Sequence, residues 1–507
     1  MHTVLVANRG EIAIRIMRAC REMGFDTVAI YSEADRTARH ARYADRAFPL
    51  AGNAPGETYL RIDAILDIAR RSGADAVHPG YGFLAENESF AQACGDAGLT
   101  FIGPTALVIG RMGNKATARD AARAAGVPVV PGTEAPVPAQ ATDEELRRLA
   151  DTVGYPLRVK AVAGGGGKGM RVVAEPDQLL DAVRAARSEA RSAFGDGAVY
   201  FERRLTRPRH IEIQLLADHH GTVIPFVERE CSLQRRHQKV IEESPASGLP
   251  DAVRADMAAA AAAVARSVGY RNAGTIEFLV DDQHAFYFLE MNTRLQVEHP
   301  VTEMVTGVDL VHWQLRIADG EQLTVSPAQA LVPRGHAIEC RVYAEDPDRR
   351  FMPHPGRITA LTVPAGPGIR DDSGVEAGSE VSIYYDSLIS KLVAWGSSRE
   401  EARCRMLRAL AEYRVGGIPT TLPFFRWMLQ QPVFIEGRLD TTWLDAELDR
   451  RAGEPFAVAD AAQEHIALVA SATAAFETSR AVRQPGARGA PVRSGWAASA
   501  RAAALRK

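Results

Sequence analysis

The chain has 507 residues, a formal net charge of −3, an apolar fraction of 46% and a charged fraction of 24%. That length allows three or more domains with real cores, and those proportions are ordinary for a soluble globular protein. A nearly neutral chain has no global basic field for nucleic acid, and no apolar run approaches the roughly 18 residues a membrane helix needs.

The chain enters a strand at once, Thr3 to Ala7, with no signal-peptide pattern before it. The five cysteines (Cys20, Cys94, Cys231, Cys340, Cys404) show no paired spacing. This argues against a zinc site or a disulfide framework and fits a reducing cytoplasm. Of the 60 basic residues only six are lysine: Lys115, Lys160, Lys168, Lys239, Lys391 and Lys507. The first four fall beside glycine-rich or charged motifs. There a compact ammonium suits a point contact to phosphate better than a planar guanidinium. The bland alternative is that a few lysines must fall somewhere.

Residues 1 to about 110 alternate strands and helices, a doubly wound α/β pattern. Strand 3–7 leads through Asn8-Arg9-Gly10 into a helix, without the glycine fingerprint of a dinucleotide domain. The loop His78-Pro79-Gly80-Tyr81-Gly82-Phe83-Leu84 follows a strand, where such sheets place ligand loops. Met112-Gly113-Asn114-Lys115 opens the next helix, and Asp143–Val153 reads as another. The run Gly164-Gly165-Gly166-Gly167-Lys168-Gly169, followed by Met170, lies between two strand patterns. It lacks the Ser or Thr of a phosphate-binding P-loop and leads into a strand. Its context predicts a flap able to fold over nucleotide phosphates, with a plain hairpin as the alternative.

Val199–Leu205 reads as a strand ending in a connector, and Arg209–Asp218 alternates as a second strand. Cys231 to Lys239 reads as a basic loop, and 251–268 as a helix. Thr275–Val280 and Phe286–Glu290 form a hairpin whose centre near Gln283 and His284 puts Glu277 across from Glu290. Two carboxylates that close need a proton or a cation between them, and Mg²⁺ takes carboxylates together with phosphate oxygens. A Mg²⁺–nucleotide site at Glu277 and Glu290, with Asn292 as a further ligand, is the expectation. If the ribbon continues extended, Glu290, Asn292, Arg294, Gln296 and Glu298 face a cleft while Leu289, Met291, Thr293, Leu295 and Val297 enter the core. A solvated face is the bland alternative.

Taken together, these stretches resemble biotin carboxylase of the ATP-grasp superfamily, from about residue 3 to about 447. The resemblance rests on Met112–Lys115, the Gly164–Met170 loop, Glu230 to Lys239, Glu290 to Pro300, the His78 loop and Arg334-Gly335-His336-Ala337-Ile338-Glu339-Cys340-Arg341. It implies an α/β and α+β chain of three domains. These are an N-terminal doubly wound, Rossmann-like pre-ATP-grasp domain (1–114), an ATP-grasp domain (115–330) with a mobile lid at about 131–204, and a C-terminal β-rich domain (331–447). It implies that ATP and bicarbonate give carboxyphosphate, which carboxylates N1′ of biotin.

By the same resemblance, Lys115, Lys160 and His210 hold ATP phosphates under the Gly164–Gly169 flap. Glu202 and Leu205 sit at the adenine, and Gln234 and His237 line the nucleotide pocket. Glu277, Glu290 and Asn292 bind Mg²⁺, with Mn²⁺ as an alternative ion. Lys239, Arg294, Gln296 and Val297 bind bicarbonate, Glu298 is the base, and Arg341 stabilises the biotin enolate. Asn114 and Arg203 stand where the family commonly has Asp and Lys.

The C-terminal domain is expected to hold strands at 358–361, 382–386 and 391–395 and a helix at 399–413, and to contribute to a homodimer. The tail from about 448 is rich in Ala, Arg, Gly and Pro, with seven basic and no acidic residues from Thr478 onward. Disorder is its default, with one short helix at Trp496–Leu505 and partner docking as the alternative. No lysine follows a methionine, so biotin is expected on a carrier protein, and a carboxyltransferase is the further partner. The implied context is an acyl-CoA carboxylase in the cytoplasm, with roles in fatty acid biosynthesis, and no nucleic acid or membrane. The competing readings are a different ATP-grasp ligase and a catalytically silent structural chain. Arg341, Glu298 and the His78 loop weigh against the first, and the presence of Glu277, Glu290 and Glu298 against the second.

Overall fold

The structure is a computed structural model, and it describes residues 1–133, 135–138, 140–162, 170–194, 197–451, 453–457 and 461–482. The chain divides into two compact units, Met1–Phe456 and Ala457–Lys507.

The first unit begins with a five-stranded sheet in the order Arg46–Pro49, Asp26–Tyr31, Thr3–Val6, Ala76–His78 and Thr100–Phe101, all pairs parallel. Its central strand is buried throughout, with the apolar run Val4-Leu5-Val6 after Thr3, as a parallel strand covered on both faces requires. The helix Gly10–Glu22 follows it and buries residues all around its first three turns, including Glu11 and Arg15. The doubly wound expectation for this part holds.

A nine-stranded sheet dominates the rest. Its path runs Phe286–Asn292, Asn272–Val280, Arg209–Ala217, Arg229–Arg235, Gln238–Ser244, His336–Tyr343, Leu388–Gly396 and Ile369–Ser373, with Val223–Pro225 beside Arg209–Ala217. Backbone pairing therefore crosses residue 330 without a break: Glu242 lies opposite Glu339, and Ile241 opposite Cys340. The C-terminal part packs the helix Arg399–Glu412 and the aromatic residues Phe424, Phe425 and Phe434 onto this sheet. A smaller sheet of three strands, Met170–Val173, Leu157–Ala161 and Val199–Arg203, carries the helices Asp143–Val153 and Leu179–Phe194. Thr142 and Glu145 cap the first of these reciprocally, satisfying two of its free N–H groups.

The structure corrects four expectations. The ribbon ends at Asn292; residues 293–298 are loop and turn, and a helix runs His299–Thr306. Pro300 sits in the first helical turn, where its missing N–H costs nothing, whereas a continuing strand would lose a ladder bond there. Cys231–Lys239 is no loop but the closing half of a hairpin, Arg229–Arg235 with Gln238–Ser244, turning on Arg236 and His237 at φ 50° and 68°. Ser382–Asp386 is not a strand. Ser382 and Asp386 accept from the backbone N–H groups of Tyr384 and Leu388, local bonds that compete with a ladder. Part of the tail is helical, at Trp443–Arg451 and, in the second unit, Ala461–Val482. The Trp496–Leu505 helix lies outside the described residues. No helix among the described residues is long and apolar enough to cross a membrane.

Candidate active site

The hairpin Asn272–Val280 with Phe286–Asn292 sets Glu277 directly opposite Glu290. A bulge follows at once, since Phe278 pairs with Phe288, and this leaves Leu289 unpaired. Thr275 lies opposite Asn292 on the same ladder. On the other side of Asn272–Val280, Glu277 is opposite Glu212 and Leu279 is opposite His210. His210, Glu212 and Gln214 therefore share a face of their strand, all buried.

These strands line a cleft of about 420 Å³ together with Gln234, His237, Gln238 and Lys239 of the neighbouring hairpin. Leu289, Glu290, Asn292, Arg294, Gln296, Val297, Glu298 and Arg341 complete its wall. The cleft thus gathers twelve of the residues singled out in the sequence: His210, Gln234, His237, Lys239, Glu277, Glu290, Asn292, Arg294, Gln296, Val297, Glu298 and Arg341. The even-numbered row reaches it although its second half is loop, because the turn before His299 folds Gln296 and Glu298 back beside the strand.

Lys239 is the hub. Its ammonium lies 2.6 Å from Glu212 Oε2, 2.9 Å from Glu277 Oε1 and 2.6 Å from Glu298 Oε1. Arg341 Nη2 donates to the other oxygen of Glu298 at 2.9 Å and also pairs with Glu242. Burial favours the neutral acid, but Lys239, Arg341 and Arg229 hold Glu298 well below the usual carboxylate range. Lys239 and His210 do the same for Glu277. Glu290 is pushed the other way, by burial and by the facing Glu277, with Lys115 opposing. Among the described residues no side-chain hydrogen bond reaches the Glu290 carboxylate, and the buried Asn292 Nδ2 has no partner.

Beneath the cleft lies Arg229, wholly buried. It donates to Glu212 at 2.5 Å, Gln296 at 2.7 Å, Gln214 and Thr302 at 2.9 Å each, and Thr275 at 3.2 Å. Gln296 in turn donates to Glu277 Oε1 at 2.8 Å. Arg294 is held by Glu86 at 2.9 Å and by Asn292 Oδ1 at 3.1 Å. Gln234 Nε2 lies 3.1 Å from His210 Nδ1.

The remaining nucleotide candidates lie around the smaller sheet. Lys160 pairs with Glu202, which Arg119 also binds at 2.5 Å. Leu205 is half-buried in the connector after that strand, and Met170 begins the strand Met170–Val173. Lys115 opens the helix Lys115–Ala124, and its charge bears on both Glu290 and Lys160. Asn114 caps that helix by accepting from the N–H groups of Ala116 and Thr117, a role Asp fills equally well. Gly164, Gly165, Gly166, Gly167, Lys168 and Gly169 lie outside the described residues.

Sequence reading missed Glu212, Arg229, Gln238 and Glu242. The first was signalled by the period-two polar row His210, Glu212, Gln214. Arg229 had no such signal, because its five partners come from four separate segments.

Three family models match: "Biotin carboxylase, N-terminal domain" over residues 1–109, "Carbamoyl-phosphate synthase L chain, ATP binding domain" over 114–326, and "Biotin carboxylase C-terminal domain" over 339–446. The biotin carboxylase of Nostoc sp. is 50% identical over 87% of this chain and 98% of its own. A pyruvate carboxylase subunit of Methanothermobacter thermautotrophicus is 52% identical over 87% and 89%. Among solved structures, a biotin carboxylase–β,γ-ATP complex from Campylobacter jejuni superposes with a TM-score of 0.83 at 45% identity, covering 88% of this chain and 98% of that one. The biotin carboxylase domain dimer of Hydrogenobacter thermophilus 2-oxoglutarate carboxylase, with MgADP, ADP and bicarbonate, gives 0.83 at 45%, covering 90% and 99%.

Proposed function

We propose a function from one premise: the chain belongs to the biotin carboxylase family of ATP-dependent ligases. The proposed reaction is carboxylation of N1′ of biotin, carried on a separate carrier protein, with ATP and bicarbonate as co-substrates. It proceeds through carboxyphosphate and serves as the first half-reaction of an acyl-CoA carboxylase. The observation that carries this reading is Glu298 fixed between Lys239 and Arg341, in one cleft with the facing pair Glu277 and Glu290.

The residues fit a Mg²⁺–nucleotide. Burial and Glu277 raise the Glu290 carboxyl, a cost that a divalent cation between the two acids would remove. When bound, Mg²⁺ supplies neutralisation of the charge on the phosphate oxygens. Lys115, Lys160 and His210 are proposed to hold those oxygens, with Gln234, His237, Glu202 and Leu205 around the nucleoside. Lys239, Arg294, Gln296 and Val297 orient bicarbonate, Arg294 as a planar fork and Lys239 as a point charge. Glu298, ionised by its cations, accepts the bicarbonate proton. The freed oxygen attacks the γ-phosphorus, the bond to the β-bridging oxygen breaks, and ADP leaves. Carboxyphosphate then loses phosphate, the departing phosphate takes the N1′ proton, and Arg341 stabilises the resulting enolate form of biotin as N1′ takes up the released carboxyl group.

The domain division 1–114, 115–330, 331–447 and 448–507 is retained for this reading. The partners proposed are a biotin carboxyl carrier protein and a carboxyltransferase, with the chain itself a homodimer. Five free cysteines support a reducing, cytoplasmic setting. The test is ADP release from the purified chain. It is expected to need ATP, Mg²⁺ and bicarbonate together and to rise with free biotin. Release indifferent to biotin and bicarbonate would overturn the proposal.

A further inference from the structure

Lys391 is one of six lysines and has no exposed surface. It lies on the strand Leu388–Gly396, directly opposite Arg341 on one neighbouring strand and Asp372 on the other. Opposed residues project from the same face of a sheet, so Arg341, Lys391 and Asp372 form one row. The two cations of this row grip one short segment. Arg341 reaches the carboxylate of Glu298 at 2.9 Å. Lys391 donates to the carbonyl of Val297 at 3.1 Å, the peptide immediately before Glu298.

The ammonium draws on two other parts of the chain. Glu11, in the first turn of the helix Gly10–Glu22, holds a carboxylate oxygen 3.3 Å away, and the Tyr81 ring centre lies at 5.6 Å. Gly374 permits the start of that helix to lie close to the C-terminal strands, since a Cβ there would meet the Glu11 nitrogen at 2.7 Å. A buried seam continues from this point. Arg15, one turn beyond Glu11, meets Glu303 at 2.9 Å, and Glu303 and Asp372 both pair with Arg370 at 2.7 Å. The segment bearing Glu298 is therefore anchored by charges from the N-terminal helix and the C-terminal strands at once.

We infer that Lys391 is a positioning residue for Glu298: it fixes the backbone of the segment by the Val297 carbonyl while Arg341 fixes the carboxylate. The inference rests on the assignment of Glu298 as base. A loop residue held at one end only can swing, and a misplacement near 1 Å can cost about 100-fold in rate. Lys391 touches neither nucleotide nor metal site, so its loss acts on turnover and not on ATP affinity.

The experiment is steady-state ADP release by the full chain, with kcat counted per nucleotide-binding site titrated by calorimetry, so that unfolded protein drops out. K391M removes the donor; K391R retains one. Expected is a fall in kcat of about 10- to 100-fold in K391M, a smaller fall in K391R, and a KM for ATP within about 2-fold of wild type in both. Should K391M not fold, K391Q replaces it, since its shorter amide stays polar but cannot reach the carbonyl. Wild-type kcat in the donor-less variant, or equal losses in it and K391R, would overturn the inference. A wild-type chain without biotin- and bicarbonate-stimulated ADP release would instead remove the base assignment beneath it.

Discussion

Glu277 and Glu290 are chemically identical residues at opposing ladder positions, yet the structure treats them oppositely. Lys239 and His210 hold one ionised, whereas burial and its neighbour's charge push the other up. Replacing Glu290 with Gln is therefore expected to lower Mg²⁺-dependent ADP release by about 100-fold or more, read from a Mg²⁺ titration of turnover. Arg229 carries a different kind of weight, for its loss strands Glu212 as a buried, half-paired anion beside Lys239. Arg229→Met should cost about 3–5 kcal/mol in denaturant unfolding; a cost below about 1 kcal/mol would show that the network relaxes around the gap. A third residue sets acid sensitivity. Against a burial that favours its neutral form, Arg399 and His336 pull the Glu243 carboxyl from an ordinary 4.5 down to about 2. A depressed carboxylate stabilises the fold above the unfolded value, and that contribution drains away as pH falls from about 4.5 to about 2. Glu243→Gln should thus flatten the decline of melting temperature across that acid window while lowering the plateau near pH 7.

The elements explain why reading by alternation succeeded in part. Glu277 faces Glu290 because a hairpin with a turn near Gln283 and His284 admits that register, and the turn is legible in Asp281-Asp282-Gln283-His284. The same rule overran at Asn292, where Pro300 and the turn before His299 start a helix instead. Cys231–Lys239 misled for a related reason: Arg236 and His237 at its turn are exposed, but Ser232 and Gln234 are buried and the half-buried Lys239 meets charges contributed by other strands. At the strand carrying Arg341, the entry point is Gly335. Its φ is +76°, and a Cβ there would meet the Gly396 carbonyl oxygen at 2.2 Å and the Trp395 indole at 2.9 Å. Gly335→Ala should destabilise the fold by on the order of 1–3 kcal/mol or more, measured as a drop in the denaturation midpoint. An unchanged midpoint would mean that the turn can be rebuilt at little cost.

For the whole molecule, the continuous pairing from Gln238–Ser244 into His336–Tyr343 binds the C-terminal part to the cleft. The unit ends at Phe456, whose ring packs on Phe351, Phe424 and Trp427. A chain stopping at 456 should therefore keep its melting temperature within about 2 °C and its kcat within about 2-fold. Co-purification of the carrier and carboxyltransferase with the full chain but not with this truncation would assign docking to the tail; loss of folding would sink the expectation. The sequence by itself determined the parallel N-terminal domain, the opposed carboxylates Glu277 and Glu290 and the family, because periodicity, turn residues and short motifs are local properties of the chain. Only the tertiary structure decided that Glu212 and Arg229 belong to the site, and that Lys391 reaches the peptide before Glu298. Those contacts join residues 15 to 94 positions apart, and a buried charge declares itself only through partners that the fold brings to it.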